Sequence, residues 1–161
     1  MKIDRVVINA SPLIILFKSQ LAHLLPDLFE EILVPTAVWN EVAAEGTDDI
    51  AAQELPSASW AKQVEVELAP VITIWNLGQG ESEVFRLALE RPGHHAMVDD
   101  AAARRCARAL NIPILGTGGA LVLAKRRGLI HSVAANLQIL RDTGLWLSDE
   151  VVRLLMQQAG E

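Results

Sequence analysis

Residues 6–17 read VVINASPLIILF, and they carry a strand, a turn and the start of a helix. Residues 5–8 are β-branched and apolar after Arg5, the pattern of a buried strand. Ser11 offers a helix N-cap and Pro12 fits the first helical position, so residues 13–18 continue as a helix. A strand that runs straight into a helix is half of a βα unit, and the rest of the chain repeats the alternation.

Downstream, residues 21–29 form a short helical piece interrupted by Pro26, and residues 32–34 read as a second strand. Pro35 and Thr36 start a helix with Val38, Trp39 and Val42 on its apolar side. The polar, turn-rich residues 46–59 hold a short helix at 48–54 and then a connector. Residues 71–75 read as a third strand. Gly78 and Gly80 mark a turn before an amphipathic helix at 81–91, with Val84, Phe85, Leu87 and Ala88 inward. Residues 96–98 and 112–115 are further strands, separated by a helix over 100–110 whose Ala103, Cys106, Ala107 and Leu110 recur at helical spacing. Helices at 120–127, closed by Gly128, at 132–142 and at 149–159 complete the chain. Near-continuously apolar strands alternating with helices predict an α/β fold, a three-layer α/β/α sandwich with a mostly parallel central sheet. It is expected as one domain over residues 1–161, with the C-terminal helices (132–159) packed on it.

The 161 residues are 51 % hydrophobic, enough for one sizeable core. Aromatic residues make up 4 %, with no Tyr, which argues against a surface that stacks single-stranded bases. The net charge of −6 repels phosphates overall, so any nucleic-acid contact needs a local basic patch or a bound cation. The single Cys106 excludes an internal disulfide and a cysteine-based zinc site, and a reducing cytoplasmic setting is expected. No membrane span and no secretory leader is expected: the apolar run at 6–17 is short and broken by Asn9, Ser11 and Pro12.

In a parallel sheet the working cleft lies beyond the carboxyl ends of the strands. Asn9 and Ser11 follow the first strand, Asp99 and Asp100 the 96–98 strand, and the Gly116–Thr117–Gly118–Gly119 turn the last. Glu81 opens the helix after the third strand, and Glu41 lies on the polar side of the helix after the second. Oxygen donors gathered at one edge suit a hard cation such as Mg²⁺ or Mn²⁺. Each residue also has an ordinary reading. Asp99, Asp100 and Glu81 fit helix starts, Asn9 fits a turn, and Glu41 fits a solvated helix face.

Arg104, Arg105 and Arg108 share one helix side, and Lys125, Arg126 and Arg127 end another. These densest positive groups are candidates to flank a nucleic-acid groove, while the second also suits the negative end of a helix. The glycine turn lacks the third small residue of a dinucleotide fingerprint, since Leu121 stands there. His94 and His95 are expected to be exposed in a Pro-Gly turn, and Cys106 to be an inert core residue.

Taken together, these segments resemble the PIN-domain family, the ribonuclease fold of VapC-like toxins. VVINASPLIILF is similar to that family's first motif, whose usual form has Asp where Asn9 stands. VPTAVWNEV resembles the second acidic motif, with Glu41 as the acid, and GQGESEVFRLALE resembles a Gly-Glu helix start that points at Glu81. The segment from Val98 to Ile130 resembles the third motif and its return strand, with Asp100 the better match to the third acid and Asp99 before it. The resemblance implies a Mg²⁺- or Mn²⁺-dependent endoribonuclease, the toxin component of a toxin–antitoxin pair. Asn9, Glu41, Glu81, Asp99 and Asp100 would surround the metal, with Asn9, Glu41, Asp99 and Asp100 ligating it. Ser11 and Thr117 would orient ligands or water, and a water would be the nucleophile. It further implies RNA, a small antitoxin protein and a second copy of the chain as partners. Two departures stand out. Asn9 lacks the carboxylate, and Gly119 stands where many members carry a fourth acid. A catalytically inactive PIN-like module that binds RNA or a protein partner is the alternative. An unrelated nucleotide-binding domain using the 116–119 turn is a third reading.

Overall fold

The computed structural model describes residues 2–67 and 77–161. Strand β1 (Arg5–Ile8) leads into α1 (Ala10–Lys18). After α2 (Leu24–Leu28) come β2 (Glu31–Pro35) and α3 (Thr36–Ala43). Next are α4 (Ile50–Glu54), a 3₁₀ turn at Leu55–Ser57 and β3 (Ala61–Val64). The second half runs α5 (Gln79–Glu90), β4 (His95–Met97), α6 (Ala101–Ala109), β5 (Ile114–Leu115) and α7 (Thr117–Arg126), and ends with α8 (Val133–Thr143) and α9 (Asp149–Gln158).

Among the described residues, five strands form one sheet in the order β3-β2-β1-β4-β5, and every pairing is parallel. The expected α/β sandwich is therefore the fold. Val6, Val7, Leu33, Val34, Ala96 and Met97 are all fully buried, as strands covered on both faces must be. Against them pack Val38 and Val42 of α3, Phe85 and Leu87 of α5, and Cys106 and Ala107 of α6.

The structure corrects several expectations. Helix α1 starts at Ala10, with Asn9 and not Ser11 at its N-cap. Pro12 is accommodated because the first-turn amides of a helix have no intrahelical partner to lose. Likewise, the glycine turn is not a loop: Thr117 to Gly119 form the first turn of α7. Residues 61–64, just past the expected connector and given no element in the sequence reading, form β3, an edge strand whose exposed Lys62 and Gln63 mask its pattern. The expected strand at 71–75 lies outside the described residues. His94 is not exposed but 4 % accessible, packed beside Glu31, and the half-buried His95 opens β4 against Val6. Burial lowers the His95 pKa. Cys106 is buried as expected, and burial pushes its thiol up.

The C-terminal helices are tied to the sheet domain. Leu155 of α9 lies over the first turn of α7, where a Cβ on Gly118 would stand 2.6 Å from its Cδ1. The Glu161 carboxylate accepts from the Val133 and Ala134 amides at 2.6 and 3.1 Å and pairs with Lys125 at 3.4 Å. The two amide bonds are the leading causes that hold its pKa below the usual carboxylate value. Its folded pKa is thus depressed, so its contribution is present above the unfolded pKa and lost as pH falls through the folded one. Glu161→Ala is expected to lower the melting temperature at neutral pH. Thermal melts at falling pH should show native and variant converging, and a constant gap would contradict the linkage.

Candidate active site

The chain crosses from one side of β1 to the other between β3 and β4, so the sheet's switch point lies where β1 and β4 end side by side. In open parallel sheets this crevice is where ligands bind. The Asn9 amide donates to the Met97 carbonyl at 3.1 Å, which holds the two strand ends together. Asn9 is 4 % accessible, and its side chain makes no cap bond to α1. Its oxygen instead stands 3.7 Å from where a Cβ on Gly80 would lie, with Glu41 Oε1 at 3.5 Å and Val38 Cγ2 at 3.4 Å from the same point. Gly80, buried in the first turn of α5, thus marks where β1, α3 and α5 meet.

Glu81 follows it, half-buried, and its carboxyl is held above the ordinary carboxylate range. Burial is the main cause. The like charges of Asp100 and Glu41 add to it, and a hydrogen bond from the Asn9 side chain opposes it. Asn9, Glu41, Glu81 and Asp100 therefore share one local field, although they come from four separate elements. Among the described residues, none of the three acids makes an ion pair.

The two aspartates after β4 divide. Asp100 caps α6 by accepting from the Ala103 amide through Oδ2 at 2.9 Å. Its charge also reaches Glu81 and helps to raise that carboxyl. Asp99 is engaged through both oxygens by Thr117, from its amide at 2.8 Å and its hydroxyl at 2.6 Å. The buried Thr117 therefore fixes Asp99. The N-terminus of α7 is already occupied by a carboxylate, and Leu155 covers Gly118, which removes the space a nucleotide phosphate would need there. Ser11 lies exposed in the first turn of α1.

Of the basic residues, Arg104 lies at the carboxyl end of β5, near Asp99. A Cβ on Gly116 would stand 3.0 Å from its Nη2 and 3.3 Å from Asp99 Oδ1. Arg105 is exposed on the same helix, and Arg108 borders a shallow hollow with Asn111 to Ile114 at the opposite, amino end of β5. Lys125, Arg126 and Arg127 end α7, about 15 Å from its start at 1.5 Å rise per residue. They are spent on carbonyls of the chain itself: His131 for Lys125, Gln158 for Arg126, and Leu28 and Ile3 for Arg127.

A family model described as PIN domain matches residues 5–161. This chain belongs to the PIN-domain family. No curated protein and no solved structure matches it. The family generally uses divalent metals. Among the described residues, no three of the His, Cys, Asp and Glu side chains are grouped as a ready-made metal cage. The donors nonetheless fit a hard cation. They are oxygens, their charges are uncompensated, and the repulsion felt by Glu81 is what a cation would relieve. Mg²⁺ in particular keeps several waters and takes only one or two carboxylates directly.

Sequence reasoning missed Glu83, which is 5 % accessible in α5 and whose Oε1 accepts from the Ala37 amide at 3.1 Å. A carboxylate on the inward side of an amphipathic helix, among Val84, Phe85 and Leu87, was the available signal.

Proposed function

We propose that this PIN domain is a divalent-cation-dependent endoribonuclease, the toxin half of a toxin–antitoxin pair acting in the cytoplasm. The observation that carries the reading is the convergence of the Asn9 and Glu41 side-chain oxygens on Gly80 at the switch point, beside Glu81, whose carboxyl is raised by burial first and then by the like charges of Asp100 and Glu41. Mg²⁺ or Mn²⁺ would be held by oxygens of Asn9, Glu41, Glu81 and Asp100. When bound, such a cation supplies a polarised water and charge neutralisation for in-line attack on a phosphodiester. Glu81, whose carboxyl is raised by burial and then by the like charges of Asp100 and Glu41, is the acid whose ionised form a cation would stabilise most. Thr117 keeps Asp99 in one rotamer, and Asp99 in turn stands beside Arg104, whose guanidinium would take the RNA backbone in this reading. The small antitoxin and a second copy of the chain belong to the same reading as protein partners.

The test is incubation of RNA with the purified protein in Mn²⁺ and in EDTA. Mn²⁺-dependent cleavage that Glu41→Gln abolishes is the expected result. Asn9 in place of a carboxylate favours one other reading, a module that binds RNA or a protein partner without cutting. RNA retained intact under both conditions would support it.

The RNA contact is testable separately. Each phosphate contact to a single strand contributes about −0.7 to the slope of log K against log salt. Arg104→Ala is expected to weaken binding of all RNA sequences alike and to flatten that slope by about this amount. Arg126→Ala, which removes a side chain tied to Gln158, is expected to leave the slope unchanged. A native slope in the Arg104 variant would place that residue outside the groove.

A further inference from the structure

Helix α3 starts without a cap of its own. Its N-cap is Pro35, which has no capping side chain, and the Thr36 hydroxyl is turned to the Val64 carbonyl at 3.2 Å. The first amides of a helix have no partner within it and need one from elsewhere. Here the partner comes from another helix. The buried Glu83 of α5 places Oε1 3.1 Å from the Ala37 amide, while Oε2 accepts from the Gln79 side chain one turn back at 3.0 Å. The bond therefore runs between α3, which carries Glu41 one turn after Ala37, and the first turns of α5, which carry Gly80 and Glu81. Gly80 is the point where α5 touches α3, against Val38 and Glu41.

We propose that Glu83 is a positioning residue: by capping α3 from α5 it sets the Glu41 and Glu81 carboxylates at a fixed spacing across the cleft. The inference rests, for its effect on metal, on the reading of this cleft as a cation site. The link itself does not. Residues that orient ligands from behind typically carry about 10–100-fold in metal affinity.

A cap that merely stabilises α3 can be separated from a link that aligns two helices. Pro35 has φ −57° and ψ 148°, which serine adopts freely, and a serine there can cap α3 from within. Three proteins are compared: Pro35→Ser, Glu83→Ala, and the two changes combined. The expected result is that the combined variant regains the stability lost in Glu83→Ala. It should still bind Mn²⁺ about tenfold more weakly than Pro35→Ser in calorimetric titration. Its Ser82, Val84 and Phe85 amides should also exchange hydrogen faster than those of Pro35→Ser. If recapping α3 restores both Mn²⁺ affinity and amide protection, Glu83 is a cap only and the proposal is overturned. If Pro35→Ser and the native protein bind no Mn²⁺, the cation reading fails, and amide exchange alone decides the link. Should Glu83→Ala not fold, the combined variant, whose α3 is capped from within, carries the comparison with Pro35→Ser by itself. Native exchange at Ser82, Val84 and Phe85 in it would refute the proposal.

Discussion

Asn9→Asp is expected to tighten Mn²⁺ binding by tenfold or more. At ~4 Å and an effective dielectric of ~20, a unit charge against a divalent ion is worth about 8 kcal/mol before dehydration. Dehydration cancels most of this, but a remainder of about 1.4 kcal/mol is already tenfold in affinity. Without metal the same change acts the other way. It replaces a hydrogen-bond partner of Glu81 with another negative charge in a field that already contains Glu41 and Asp100. The variant should therefore melt lower than the native protein in EDTA and gain more from Mn²⁺. Calorimetric titration and thermal melts with and without Mn²⁺ check both halves. Equal affinities would mean that position 9 is not a ligand.

The second large effect is at Glu81. Its carboxyl has a folded pKa raised above the unfolded value, so the native state holds its proton to higher pH than the unfolded chain does. Stability is then lost as pH rises from the unfolded pKa through the folded one, and the cost is fully present above it. Glu81→Gln removes that cost. The metal-free variant should be more stable than the native protein at neutral pH and equal to it in acid. With Mn²⁺ at about 100 times Kd, the native protein gains about 2.7 kcal/mol by mass action, and Glu81→Gln should gain little. A variant that is less stable than the native protein in EDTA would show that Glu81 stabilises the fold and not the bound cation.

The parallel sheet was legible because β1, β2 and β4 are buried on both faces and must be apolar throughout, as Val6 to Ile8, Ile32 to Val34 and Ala96 to Met97 are. Strand β3 was not legible. At the sheet edge its Lys62 and Gln63 face water, so no period marks it. Asn9, Asp99 and Asp100 follow strand ends, where alternation alone implies a shared edge, whereas Glu41, inside α3, is singled out by the family resemblance. The resemblance favours Asp100 over Asp99 as the third acid, but no local pattern shows that Thr117 binds Asp99 twice while Asp100 caps α6. The histidines were misread for a related reason. A Pro-Gly turn signals exposure, but the chain at His94 folds back beside Glu31, a contact 63 residues distant that no window contains. Charge clusters were equally ambiguous. Arg104 and Arg127 look alike in sequence, yet one lies beside Asp99 and the other binds the carbonyls of Ile3 and Leu28.

The central claim is that the crevice between β1 and β4 holds a divalent cation. A crystal grown with Mn²⁺, with data collected for the metal's anomalous signal, tests it most directly. An anomalous peak in contact with oxygens of Asn9, Glu41, Glu81 or Asp100, at the meeting point marked by Gly80, is the expected result. A well-ordered cleft with no peak, or a peak only elsewhere on the molecule, would contradict it.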